Sequence, residues 1–279
     1  RCVNATGSAP IGLMLGERVD PSSLGVAGFM LKSAPDVGSA LRDLVRHLGL
    51  HDQGGALSLA TVNRTAFLGY SILIDEVEAA GEIHALSMAV ACRIMRGFCG
   101  ETWNPAEVVL SRRQPKDTSP YRRFFRAHVQ FDAGRSALVF SKHWLKHPIA
   151  TADPFLHRYL QQEASELQGK RDVSVRAELH RLLLKSMATR ECRVSGIAKQ
   201  LGMHERTLNR RLREEGTTFR QELQEIRFSI AKHLLADTNM SLSKIAEVLD
   251  YSDETAFSRA FKRWSASTPT EWRARCQRP

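Results

Sequence analysis

The chain has 279 residues, of which 43% are hydrophobic, enough for two cores and too many for a chain that is disordered throughout. Its formal charge of +10 is uneven: residues 170–279 hold 22 Lys and Arg against 14 Asp and Glu, whereas residues 1–169 hold 18 against 16. The five cysteines, Cys2, Cys92, Cys99, Cys192 and Cys276, form no CxxC pair, which argues against a disulfide framework or zinc finger, and no apolar run is long enough for a membrane span.

In chain order, Leu41, Leu44, Val45 and Leu48 recur at helical spacing after Pro35, which suits a first helical turn. Two β-rich runs, ALSLATV from Ala56 and TAFLGYSILI from Thr65, are joined by Asn63 and Arg64 and predict a hairpin. From Glu82 to Cys99 the sequence is apolar on most sides, with Ile83, Leu86, Val90, Ile94 and Phe98 beside Met88, Cys92, Met95 and Cys99; this predicts a helix buried nearly all round. Strands are expected at EVVLS from Glu107, AHVQF from Ala127 and SALVF from Ser136, with a short helix opening at Ser119 and Pro120. The pattern fits an α+β domain, helices packed on an antiparallel sheet, better than an all-β barrel.

Asp153 and Pro154 supply an N-cap and first position for a helix through Gln168. Its stripe of Phe155, Leu156, Tyr159, Leu160 and Leu167 fits either packing on its own domain or a seam between two copies. GKRDVS, from Gly169 to Ser174, reads as a linker, so the expected division is 1–168, a linker at 169–175, and 176–279.

The last part reads as all-α. A helix is expected from Val175 to Thr189, then a short pattern occurs twice: IAKQLGMHERTLNRRL from Ile197 and IAEVLDYSDETAFSRAF from Ile245. Each is a helix-turn-helix signal. Ala198 and Ala246 fall where two helices cross and only a small side chain fits, with Leu201 and Leu249 beneath them. Gly202 suits the left-handed turn, and Asp250 in the second copy tolerates it with some strain. Between the copies, Thr218 and Gln221 form a capping box for a long helix through Leu235, with Leu223, Ile226, Ile230 and Leu234 on one face. Ser241 and Ser252 are expected to cap the next two helices, the second ending at Trp264. Thr268, Pro269 and Glu271 open a last short helix carrying Trp272.

These residues resemble the AraC/XylS family of bacterial transcription regulators. The specific stretch is IAEVLDYSDETAFSRAFKRWSASTPTEWR, with its Ile-Ala pair, Tyr251, Phe257, Arg259, the Phe261-Lys262 step and the Thr-Pro before the last helix. The chain departs from the family pattern at Asp250 and Ala266, where glycine is usual. GFMLKSAPDVGSALRDLVRHLGL, YRRFF from Tyr121, the Ser136–Phe140 strand and TADPFLH from Thr151 resemble a helical-plus-sheet class of effector-binding domain, unlike the small β-barrel of the family's arabinose-binding founder. The resemblance implies a sensing and dimerising N-terminal domain without naming a ligand. It also implies a double helix-turn-helix domain that binds double-stranded promoter DNA and meets RNA polymerase, as a transcription activator or repressor in the cytoplasm. No cofactor or metal is expected. Because the chain starts at Arg1, not Met, it is expected to begin inside a longer gene product.

With the long helix as spacer, the second helix of each motif is expected to enter successive major grooves, ~34 Å apart on one face of the duplex. Carried over by motif position, Arg206, Asn209 and Arg210 of the first are expected to point into the groove. Arg suits guanine O6 and N7, and Asn suits adenine N6 and N7. Glu254, Thr255 and Arg259 hold the matching places in the second, with Ser258 and Lys262 nearer the backbone. Glu254 can accept only from cytosine N4, so the first motif is expected to carry most of the specificity. Arg211, Arg213, Arg263 and Lys244 are candidate phosphate contacts.

Other patterns point to weaker sites. Met88, Cys92, Met95 and Cys99 share a helical face that could hold Cu(I), but such residues are ordinary core filler. His143 and His147 have the spacing of a zinc helix without its glutamate, because Trp144 follows His143. An alkyl-transfer DNA repair enzyme would need a reactive cysteine in an electropositive setting, which the apolar helix around Cys92 and Cys99 does not offer. A scaffold that binds DNA without any ligand is the third reading. An effector pocket is expected between the Glu82–Cys99 helix and the sheet.

Overall fold

The computed structural model describes residues 10–74, 77, 79–169, 175–189 and 192–276. Two compact units emerge, Arg1–Arg171 and Asp172–Pro279. Most of the expected linker, residues 170–174, lies outside the described residues.

The described part of unit 1 begins with α1 (Ile11–Gly16), α2 (Val26–Ser33) and α3 (Val37–His47). Asp36 caps α3, its Oδ1 accepting from Ser39 N at 2.7 Å, so Pro35 precedes the cap instead of occupying the first turn. Strands β1 (Gly55–Val62) and β2 (Thr65–Ile72) pair antiparallel with Val62 opposite Thr65, and Asn63 closes the two-residue turn at φ +53°. Then come α4 (Ala80–Cys99), β3 (Glu107–Val109), α5 (Ser119–Phe125), β4 (His128–Gln130), β5 (Ser136–Ser141) and α6 (Pro154–Gly169).

The sheet order is β1-β2-β5-β3-β4. Every pair is antiparallel except β3 with β4 at one edge. A parallel pair needs a crossover, and α5 supplies it. Helix α4 packs on β2 and β5. Met88, Cys92 and Met95 are fully buried there among Leu68, Leu138 and Phe140, where they fill the core. The helix is less uniformly buried than its sequence suggests, since Ile83, Leu86, Val90 and Phe98 are only half-buried.

Asp153 caps α6, its Oδ1 accepting from Phe155 N and Leu156 N, each at 3.0 Å. The helix packs on α2 and α3 through His157 and Ala164. Its expected apolar stripe mostly faces away: Phe155 is 78% exposed and Tyr159 60%, with Leu156 and Leu167 also exposed. His143 and His147 flank Trp144, ring centroids 4.8 and 5.4 Å from it, and His143 Nδ1 lies 2.8 Å from Ser141 Oγ. The two rings lie tilted against the Trp144 indole, at 36° and 58° to it, and of the two His143 alone has a described side-chain hydrogen-bond partner. No helix among the described residues is long and apolar enough to cross a membrane.

Unit 2 is all-α: α7 (Val175–Thr189), α8 (Val194–Gln200), α9 (Glu205–Glu214), α10 (Phe219–Asp237), α11 (Leu242–Val248), α12 (Glu254–Ser265) and α13 (Pro269–Cys276). Its two cores differ in chemistry. The first is aliphatic, with Leu179, Leu183, Ile197, Leu208, Leu212 and Ile226, and the second is aromatic around Phe257, Phe261, Phe228, Trp264 and Trp272. Ile230 of α10 touches both, so one helix carries the two motifs.

Candidate DNA-binding interface

The two motifs repeat at the level of single hydrogen bonds. Ala198 and Ala246 are buried at the crossings of α8 with α9 and α11 with α12. Met203 N donates to Ala198 O at 2.9 Å, and Tyr251 N donates to Ala246 O at 2.9 Å. This six-residue closure needs a left-handed residue just before it. Gly202 stands there at φ +66°, and Asp250 takes the same conformation at φ +59°.

Helix α9 buries Leu208 and Leu212, which turns Arg206, Arg210 and Arg213 outward at offsets of four and three. With Thr207 and the half-buried Asn209 they line one open surface depression. Arg211 is exposed but does not line it. Of the basic side chains on α9, Arg210 has the one described ion pair, with Glu214 at 3.8 Å on an exposed surface, which leaves it free to move.

Helix α12 buries Phe257, Ala260 and Phe261 and exposes Thr255, Arg259 and Lys262, with Ser258 half-buried between them. Its cap is Asp253, whose Oδ1 accepts from Ala256 N at 2.7 Å; the expected cap, Ser252, donates to the other Asp253 oxygen. Asp253 wins because its carboxylate reaches the third helical amide and favours the positive end of the helix. Hydrogen bonds from Ala256 N and Ser252 hold its carboxyl below the usual range. Glu254 therefore occupies the first helical position, exposed at the flank of the stripe. Arg263 is exposed, and Lys244 is engaged with Glu247 at 2.7 Å.

The remaining caps vary. Ser241 accepts from Lys244 N, and Thr268 with Glu271 makes a reciprocal box: Thr268 N donates to Glu271 Oε2 at 2.8 Å and Glu271 N to Thr268 Oγ1 at 3.2 Å. At α10 the box is only half made, because the Thr218 hydroxyl donates to Gln221 Oε1 at 2.7 Å while accepting from Gln221 N.

Two braces of this unit are absent from the sequence reading. Arg227 of α10 reaches Asp250, NH2 to Oδ2 at 3.5 Å, and lies over the Tyr251 ring at 5.1 Å, holding the turn where glycine is missing. Glu222, fully buried, accepts from Arg176 and His180 of α7 and from Thr217, which ties α7 to the loop after α9. Burial alone would raise its carboxyl; the hydrogen bonds from Thr217, His180 and Arg176 outweigh burial and lower it. Apart from Thr217, five residues before Glu222, these partners lie 23 to 46 residues apart in the chain, and no short-range signal announces them.

Unit 1 holds a cavity of about 400 Å3 between α4 and the β1–β2 hairpin. Leu57 and Leu68 line it from the hairpin and Leu86, Val90 and Ile94 from α4. At one end the Tyr70 hydroxyl donates to Asp52 Oδ2 at 2.8 Å. Burial, and then the Asp52 carboxylate, hold that phenol well above its ordinary value. On the same helix, burial pushes both the Cys92 and Cys99 thiols up to about 11, the opposite of what a cysteine nucleophile requires.

Paired helix-turn-helix motifs on one long helix, behind an α+β domain, define a DNA-binding transcription regulator of two domains. The family model described as the arabinose-binding domain of AraC transcription regulators, N-terminal part, matches residues 1–149, and a helix-turn-helix domain model matches residues 197–275. This chain belongs to the AraC family of transcription regulators. It is 26% identical to the ornithine utilization regulator of Pseudomonas aeruginosa, over 96% of this chain and 79% of that protein. It is also 26% identical to the regulator VirS of Mycobacterium tuberculosis, over 90% of this chain and 74% of the relative. Among solved structures, the regulator CdpR of P. aeruginosa aligns with a TM-score of 0.50 and 25% identity, over 96% of this chain and 88% of that one.

Proposed function

We propose that this regulator reads two adjacent half-sites of a promoter in successive major grooves, with α9 supplying most of the base recognition and α12 less. The observation that carries this is the division of α9: Leu208 and Leu212 are sunk in the core, and Arg206, Asn209, Arg210 and Arg213 share one open face. Arg206, Asn209 and Arg210 contact bases, and Arg213 and Arg211 contact phosphates. On α12, Arg259, Thr255 and Glu254 meet bases while Ser258 and Lys262 lie nearer the backbone. Residues 1–168 bind a small-molecule effector and dimerise, 169–175 link the domains and 176–279 bind DNA. The effector sits in the cavity between α4 and the hairpin and favours one arrangement of the DNA-binding motifs, through which promoter DNA and RNA polymerase are engaged in the cytoplasm.

The exposed Phe155 and Tyr159, with Leu156 and Leu167 also exposed on the same helix, support a homodimer seam along α6. Selecting bound duplexes from a random pool and footprinting them tests the main reading. Two protected segments about 10 base pairs apart on one face are expected, and a single protected segment removes the two-groove reading.

A further inference from the structure

The cavity of unit 1 has a chemically one-sided polar end. Its volume, about 400 Å3, suits a small ligand, and most of its wall is aliphatic. Of the described residues that line it, Asp52 is the one carboxylate, and none is Lys or Arg. Asp52 is half-buried; its Oδ1 accepts from Gly54 N at 2.9 Å and its Oδ2 from the Tyr70 hydroxyl at 2.8 Å. Each carboxylate oxygen has a second lone pair for another donor.

The hydroxyl groups around it already give their protons elsewhere. Tyr70 donates to Asp52, Ser87 to Ile83 O at 2.9 Å, and Ser23 to Asp20 O at 2.7 Å. What remains on all four side chains is acceptor capacity. His51, exposed, is the other polar group of the lining and the one described side chain there with an N–H left to give. Gly55 is part of the arrangement, because a Cβ there would run into the Tyr70 hydroxyl and come 2.5 Å from Asp52 Oδ2.

We propose that this cavity binds an apolar monoamine, its ammonium group on Asp52 and the oxygens of Tyr70 and Ser87, its hydrocarbon body among Leu57, Leu68 and Ile94. The assignment rests on reading unit 1 as the effector domain. An ammonium brings three donors and a positive charge to a set of acceptors with one negative charge. A carboxylate or phosphate of the same length would meet lone pairs and a like charge.

The test uses the full chain at pH 7 with three probes of one chain length, n-octylamine, n-octanol and octanoate, followed by calorimetry and thermal denaturation. Octylamine is expected to bind at least tenfold more tightly than octanol, and octanoate not measurably. Asp52→Asn is expected to bring octylamine down to the level of octanol while octanol still binds, which shows that the variant's cavity is intact. Octanoate binding as well as octylamine, no octylamine binding, or an unchanged amine preference in Asp52→Asn each overturns the proposal.

Affinity for a duplex chosen from the random pool separates this proposal from the effector reading. Amine-selective binding that leaves DNA affinity unchanged upholds the amine site and removes effector control. Equal binding of all three probes that does alter DNA affinity keeps effector control and overturns the amine site.

Discussion

His157 Nε2 lies 3.1 Å from Asp43 Oδ2, both side chains under a tenth exposed, and this pair fastens α6 to α3. Gln161 Nε2 donates to both Asp43 oxygens at 3.2 Å, and Ser33 Oγ is 3.4 Å from His157 Nδ1. The order serine, histidine, aspartate has the connectivity of a hydrolytic triad, but Ser33 is buried and its hydroxyl also meets Phe29 O and Met30 O. No substrate carbonyl reaches it, so the chain of contacts is a clasp between three helices. Removing Asp43 leaves the buried His157 and the Gln161 donors without their acceptor, which costs about 1–3 kcal/mol. Asp43→Ala is accordingly expected to lower the melting temperature of unit 1 by roughly 2–12 °C. Asp43→Leu combined with His157→Phe should recover part of that loss. Circular dichroism melts of the two variants decide it, and an unshifted Asp43→Ala midpoint denies the clasp.

A second prediction concerns backbone strain. Ala266, after α12, sits at φ +56°, where a Cβ costs about 1–2 kcal/mol and glycine nothing. Ala266→Gly relieves this, less the greater freedom that glycine gives the unfolded chain. A net gain of about 0.5–1 kcal/mol in urea denaturation is expected. Asp250→Gly at φ +59° gains less, since it surrenders the contact with Arg227. If both variants gained equally, the Arg227 brace would be energetically idle.

The buried Glu222 makes unit 2 sensitive to acid. Its carboxyl is lowered from the ordinary 4.5 in the folded chain, so the stabilisation is present above that value and is lost as pH falls through the lower folded one. Stability measured from pH 7 down to pH 3 should therefore decline most steeply below about 4.5. Glu222→Gln should be less stable at pH 7 and show a shallower acid limb. An acid limb as steep as wild type would place the titration on other groups.

The exposed face of α6 yields a prediction about assembly. Phe155 and Tyr159 contribute little to their own fold, so replacing both with Glu is expected to change stability by no more than about 0.5 kcal/mol. In a seam related by a two-fold axis the same change puts four carboxylates into an apolar contact. Sedimentation at micromolar concentration should show the double variant as a monomer and the unmodified chain as a dimer. Identical sedimentation of the two rules out this face as the seam.

How much of this was legible in the sequence depended on distance along the chain. The Thr268–Glu271 box and the Asp153 cap follow from residues three apart or closer, and both form. Where two good caps adjoin, as at Ser252 and Asp253, spacing alone does not rank them; the carboxylate that reaches Ala256 N does. Periodicity found α6 but not which face turns outward, because that is decided by the distant Asp43. The parallel β4, with three residues, is too short to declare its direction. On the recognition helices the motif positions give residue identity, and the burial of Leu208, Leu212, Phe257 and Phe261 gives the direction in which the others point.

That direction leads to the last prediction, which separates base reading from phosphate contact. Arg210 is exposed on the open face of α9, and a bidentate contact to guanine is made only when the right base is present. Arg210→Ala is expected to lose about 1–3 kcal/mol on the selected duplex and almost nothing on random DNA. If Lys262 meets the DNA backbone as proposed, Lys262→Ala should weaken binding to every duplex alike and reduce the salt slope by about one. Titrations of both variants on both duplexes, at several salt concentrations, give four curves. Equal losses of Arg210→Ala on selected and random DNA would show that this arginine meets phosphate, and the assignment of base reading to α9 would then have to rest on Arg206 and Asn209 alone.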